Sequence, residues 1–287
     1  MKRTTTNAAT EKRLQTMREN LTAIENRAHA ILRKGTAMTA ADRRELLSLV
    51  NVAYHVGGKI DGVFSIDSTA SCEFCQRMIE AAKTRLLMIC GACYAAADAW
   101  KEAAWRRHKL NALIFSTVLF TVEELRQLPI AGLLCRFNED GDKVNETMAR
   151  NYLRIAAAHE STMFGYWYKN TAAVEAGLIA EGITRREDRP ANVRFIHSSI
   201  LIGFEAAETW FDDAIFTVYP DEETTLEAVR NGAHECNGRK CRDCGYTCYV
   251  MQRRPAVVRV AEVLRTSAKR RAIILDAYRE EKARRAA

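Results

Sequence analysis

The chain has 287 residues, 48% of them hydrophobic, with 43 Lys and Arg against 36 Asp and Glu for a formal charge of +7. That is enough apolar material for one sizeable core. It contains no run of about eighteen apolar residues, and Met1-Lys2-Arg3-Thr4-Thr5-Thr6-Asn7 is not followed by an apolar segment, so the sequence argues against a membrane span or a cleaved leader. A cytoplasmic protein is expected, its nine cysteines reduced and suited to metal ligation or catalysis rather than disulfides.

In chain order, Leu14, Met17, Leu21, Ile24, Ala28 and Ile31 recur at spacings of three and four, which predicts an amphipathic helix over about residues 10–33. A second helix is predicted after Thr39, capped by that residue with Asp42 in its first turn. Residues 1–56 thus read as an N-terminal helical segment, a lid or a homo-oligomer contact. After Gly57 and Gly58, residues 62–67 read as a short strand. Cys72, Cys75, Cys90 and Cys93 follow, with helical texture over residues 76–88 and again from Tyr94 to about Phe115. The second helix would turn its positive N-terminal end toward the thiolates.

Strands are then predicted at 133–137, 163–168, 193–197 and 214–219, and helices at 146–158 and 172–180. Five strands separated mostly by helices imply an α/β fold with a mainly parallel sheet, curled by right-handed crossovers into a partial (βα) barrel, with a flat doubly wound sheet as the alternative. Residues 57–250 make this cysteine-rich core. Residues 251–287 hold eleven Lys and Arg against Glu262, Asp276, Glu280 and Glu281, and read as a basic C-terminal helix from Ala256 to about Arg279. Such a tail is either a solvated helix or a surface for nucleic acid phosphates.

Two constellations carry chemistry. In βα folds ligands gather at the carboxyl ends of strands, which here present Asn138, Glu139, Asp140, Asp142, Lys169 and His197. Three carboxylates within residues 139–142 call for a cation, an amine or hydrogen-bond donors. The cysteines form two sets. Cys236, Cys241, Cys244 and Cys248, spaced C-x4-C-x2-C-x3-C, suit an iron–sulfur cluster, with zinc as the alternative. Cys72, Cys75, Cys90 and Cys93, spaced C-x2-C-x14-C-x2-C, are close to a zinc-ribbon spacing. Cys135 falls within a strand as a core thiol.

The ordered set Phe74-Cys75, Cys90-Gly91-Ala92-Cys93-Tyr94-Ala95, Arg136-Phe137-Asn138-Glu139-Asp140-Gly141-Asp142, Phe164-Gly165-Tyr166-Trp167-Tyr168-Lys169-Asn170 and Cys241-Arg242-Asp243-Cys244 through Cys248-Tyr249 resembles the phage gene-product-88 family over roughly residues 57–250. The layout of that family is similar to that of radical S-adenosylmethionine enzymes. The resemblance implies a [4Fe–4S] cluster on Cys75, Cys90 and Cys93, its fourth iron open to S-adenosylmethionine, with Glu139, Asp140 or Asp142 accepting the methionyl ammonium. A second, fully ligated cluster would sit on the late cysteines. Cys72 as a fourth early ligand would instead close that site and make it structural or electron-transferring. The other expectation is a metal-stabilised module without catalysis, binding nucleic acid or protein through residues 251–287.

Overall fold

Helical spacing of apolar residues turns Leu21, Ala28 and Ile31 inward along α1 (Ala8–Leu32), where all three are buried. The next helix, α2 (Ala40–Ser48), opens on a reciprocal cap: Thr39 Oγ1 accepts from the Asp42 amide at 3.2 Å, and the Asp42 carboxylate accepts from the Thr39 amide at 2.9 Å. Both helices share one hydrophobic core with Leu110, Ile114 and Phe115 of α3 (Glu102–Thr117), which follows the early cysteines. The N-terminal segment is therefore built onto the main core. The computed structural model describes residues 8–58, 60–68, 77, 80–81, 85–92, 102–138, 142–236, 240–244, 247–249 and 256–287. Among them no helix is long and apolar enough to cross a membrane.

The α/β core is one sheet of eight strands: β1 (Ala53–Tyr54), β2 (Phe64–Ile66), β3 (Leu134–Phe137), β4 (Met163–Tyr168), β5 (Val193–Ser198), β6 (Ala214–Tyr219), β7 (His234–Glu235) and β8 (Val258–Val263). Their spatial order is β1-β2-β3-β4-β5-β6-β8-β7, and every pairing except β1 with β2 is parallel. Strands β2 to β6 lie side by side in chain order, without the reversal that a doubly wound sheet requires. The sheet is singly wound and open, a partial barrel. The five expected strands are all present, and three more extend the edges.

Crossover helices are α4 (Val122–Leu125), α5 (Glu146–Ala158), α6 (Thr171–Ala180) and α7 (Glu222–Arg230), while β5 and β6 are joined by residues 199–213 without one. The alternation of side chains sorts the two faces. Phe137, Phe164, Tyr166, Tyr168, Val193 and Phe195 are buried in the same core as Tyr152, Val174 and Leu178 of the helices. The opposite, concave face carries Ser65, Arg136, Gly165 and Arg194, which the parallel register sets in one row across β2, β3, β4 and β5.

Residues 256–279 depart from expectation. In place of one basic helix, Val258–Val263 is a strand matched residue for residue with Ala214–Tyr219, and the helix α8 (Ala268–Ala286) starts after Ser267. Val258, Val260 and Val263 fit a strand as well as a helical stripe, and β-branched residues favour the pleated sheet. Thus only the last part of residues 251–287 is a helical addition.

Candidate metal centre and concave face

From β6 the chain passes through α7 to the outermost strand, β7, then returns to lay β8 between β6 and β7. That return step runs against the direction of every earlier crossover. A connection of unchanged hand that steps backward must lie on the opposite face of the sheet. The described part of this connection brings Cys236, Cys248 and Tyr249 to the concave face.

Cys236 and Cys248 pack there with Ile196, Ala214, Phe216, Val258 and Val260, beside Trp167. Cys236 is fixed to the sheet by its amide, which donates to the Ala261 carbonyl at 2.7 Å. Short 3-10 turns carry the other three: Cys241–Asp243, after which the Cys244 amide bonds to the Cys241 carbonyl at 3.3 Å, and Thr247–Tyr249. Gly165 makes the seat. A Cβ at that position would stand 3.0 Å from Tyr249 Cε1 and 3.3 Å from the Cys248 carbonyl oxygen, so a larger residue would push the turn away from β4, where the glycine lets it lie close. Lys240 holds the rim through Asp61 at 2.7 Å.

None of the four late cysteines is joined in a disulfide. Burial first, then the neighbouring Cys236 and Cys241, push the Cys248 thiol up to about 12; Cys244 adds to this and Arg136 opposes it. A buried thiol with three more thiols around it is a donor set that a bound cation would satisfy, because the metal supplies the missing positive charge. No group of three or more His, Cys, Asp or Glu among the described residues is already gathered tightly enough to enclose an ion.

Of the early set, Cys72, Cys75 and Cys93 lie outside the described residues, as do Glu139 and Asp140. Cys90 stands half-buried in the turn Ile89–Ala92. This turn is anchored at the carboxyl end of β5: the Ile89 amide donates to the Ile200 carbonyl at 2.9 Å, and the Ile202 amide to the Leu87 carbonyl at 2.7 Å. The structure thus places Cys90 at the mouth of the sheet.

The strand-end residues have defined partners. The Asp142 carboxylate accepts from the amides of Lys143 at 2.7 Å, Lys169 at 2.7 Å and Asn170 at 3.0 Å, tying the loop after β3 to the start of α6. Asn138 takes a left-handed φ of 61°, and its Oδ1 accepts from Ser68 Oγ at 2.9 Å. Asn170 caps α6 through the Ala173 amide, and Asp221 caps α7. His197 stacks on Tyr168 with ring centroids 5.0 Å apart, and its Nδ1 lies 3.4 Å from Asp212 Oδ2. Asp142, Asn170 and Asp221 therefore tie loops and cap helices.

Sequence reading gave no weight to a polar nest on the concave face. His55 Nε2 lies 2.7 Å from Ser65 Oγ, which donates to Asp67 Oδ2 at 2.6 Å, and His108 Nε2 is 3.9 Å from the same carboxylate oxygen. Burial lowers the His55 pKa, with Asp67 opposing. One strand further, the Arg136 guanidinium lies over the Trp167 ring, 4.3 Å from its centroid. The signal for this nest is the period of two along β2 to β4, which sends Ser65, Asp67, Arg136 and Trp167 to the face opposite the aromatic core.

On α8, the basic side chains are largely matched: Glu281 pairs with Arg284 and Arg285, Lys282 with Glu227, and Arg279 with Asp276. Ile274 and Tyr278 bury the opposite side of the helix against Ile202 and Leu264. Neither a protein-family model, nor a curated protein, nor a solved structure matches this chain.

Proposed function

We propose that the protein is an iron–sulfur protein with the layout of a radical S-adenosylmethionine enzyme. Cys236, Cys241, Cys244 and Cys248 would hold a fully ligated [4Fe–4S] cluster in the concavity, and Cys75, Cys90 and Cys93 a second one at the carboxyl mouth. The observation that carries this reading is the late set itself: Cys236, Cys241 and Cys244 each lie close enough to Cys248 to oppose its ionisation. The singly wound parallel sheet and the anchoring of the Cys90 turn at its carboxyl end support it.

The chain's own residues have distinct parts in such a site. Gly165 lets the late turn approach the sheet, and Arg136 favours the thiolate form of Cys248. The apolar wall of Ile196, Phe216 and Val260 keeps water from the sulfurs. Metal ligation would draw the four sulfurs onto one centre and fix the turns, so binding and local folding are one event. Bound at the early set, a cluster with an open iron would deliver an electron to the sulfonium of S-adenosylmethionine.

Anaerobic purification followed by iron and acid-labile sulfide analysis tests the proposal. Equal amounts of iron and sulfide, with a broad visible absorption that falls but does not vanish in the double variant Cys241→Ser/Cys244→Ser, are expected. A colourless protein holding stoichiometric zinc alone sinks it.

A further inference from the structure

Trp167 Nε1 and Tyr249 Oη are buried and make no hydrogen bond among the described residues. Folded proteins seldom shut a donor away from water without an acceptor, because the group loses its hydration and gains nothing in return. Comparable groups nearby obey that rule. Tyr168 Oη donates to Asp212, Tyr166 Oη reaches the Ala149 carbonyl at 3.4 Å, and the indole of Trp210 donates to Glu175 at 2.9 Å. The two exceptions therefore call for an acceptor that is absent from the polypeptide around them.

Both stand beside the late cysteines. Trp167 packs against the same apolar wall as Cys236 and Cys248, its ring edge-on to Phe216 with centroids 4.8 Å apart. Tyr249 follows Cys248 directly in the turn Thr247–Tyr249, and its ring rests on Gly165, two residues before Trp167 on the same face of β4. Cys241 and Cys248 lie near enough to act electrostatically on the Tyr249 phenol. The chemistry at hand is thus sulfur. A neutral thiol is a weak acceptor, whereas a metal-bound thiolate or sulfide carries negative charge and accepts readily from N–H and O–H groups.

Resting on the iron–sulfur reading above, we propose that Trp167 Nε1 and Tyr249 Oη donate hydrogen bonds to sulfur of the late metal centre and tune its reduction potential. They are tuning groups rather than ligands. Each donor draws charge from sulfur and favours the more negative, reduced state, so each raises the potential. One donor belongs to β4 and the other to the cysteine turn itself, so the seating of the turn on Gly165 also sets how the centre is tuned.

The test uses the full chain, purified anaerobically with Cys90→Ser to disable the early site, and iron and acid-labile sulfide are measured on every sample. Potentiometric titration followed by visible absorption should show the midpoint of the late cluster falling in Tyr249→Phe and in Trp167→Phe. For each, a roughly tenfold shift of the reduction equilibrium is expected, about 59 mV for a one-electron couple. Tyr249→Phe removes only the hydroxyl. It should melt at or above its parent after the metal is chelated away and below it when loaded, a reversal of sign that a merely structural tyrosine cannot give. A loaded cluster whose midpoint is unchanged or raised in both variants overturns the proposal. A fall in one variant alone keeps that residue as the donor and strikes out the other. Protein holding zinc without sulfide sinks the iron–sulfur reading instead, and chelator competition then decides the donors: roughly tenfold weaker zinc binding in either variant upholds them, and equal affinity overturns them.

Discussion

Replacing Lys143 by Met should change how the stability of this protein depends on pH. Lys143 has 0% exposure; its Nζ donates to the Trp167 carbonyl and lies 3.9 Å from the Tyr166 ring centroid. Burial pushes the amine from its ordinary 10.5 down to about 7, with Asp142 opposing. Between these two values the unfolded chain keeps a proton that the folded chain has released, so stability rises with pH across this window. Below about 7 both states are protonated and the cost of burying the ammonium is felt in full. At about 1.4 kcal/mol per pH unit, the full span amounts to something on the order of 5 kcal/mol. Urea unfolding of wild type and Lys143→Met, compared at pH values on either side of the window, should show the wild type gaining roughly that much relative to the variant as pH rises. Parallel stability profiles would refute the reasoning.

Gly165→Ala forces a methyl group to within 3.0 Å of Tyr249 and should cost about 1–3 kcal/mol while lowering metal occupancy, read by melting and metal analysis on the same samples. Unchanged occupancy would show that the late turn does not need its seat on β4. Asp213→Asn breaks the buried pair in which Arg189 Nη2 lies 3.0 Å from Asp213 Oδ1, both side chains less than a tenth exposed. An uncompensated guanidinium in that position should destabilise by about 3–5 kcal/mol in denaturant unfolding. A loss under about 1 kcal/mol would mean that Arg189 finds other partners.

Local patterns carried much of this architecture. The near-continuous apolar runs at 163–168 and 214–219 coincide with β4 and β6, and the Thr39 cap is written in the pair Thr39 and Asp42. The eight clustered cysteines also announce themselves by spacing. What was hidden depends on chain segments far apart in sequence. Asp142 looks like a ligand in an acidic turn, yet its carboxylate is held by amides 27 and 28 residues away. Lys143 is indistinguishable in sequence from a surface lysine, and only the folding of α5 against β4 encloses it between Tyr152 and Tyr166. The strand at 258–263 was ambiguous for a different reason: its valines satisfy both periods, and the open edge of β6 settles the choice. The meeting of Arg136 with Tyr249 follows from the cysteine turn after β7 resting on Gly165 of β4, which no local window encodes.

The placement of β8 inside β7 has a consequence for how the chain is made. Until residues 258–263 emerge from the ribosome, all six residues of β6 present an open backbone edge, and β7 has no neighbour to pair with. The segment that bridges this interval is the cysteine turn. If the late cysteines hold the metal proposed above, a nascent chain that acquires it promptly can swing the final strand into the gap, whereas one starved of metal leaves an apolar strand exposed to its own kind. Metal supply during synthesis would then govern the yield of soluble protein before it governs any chemistry.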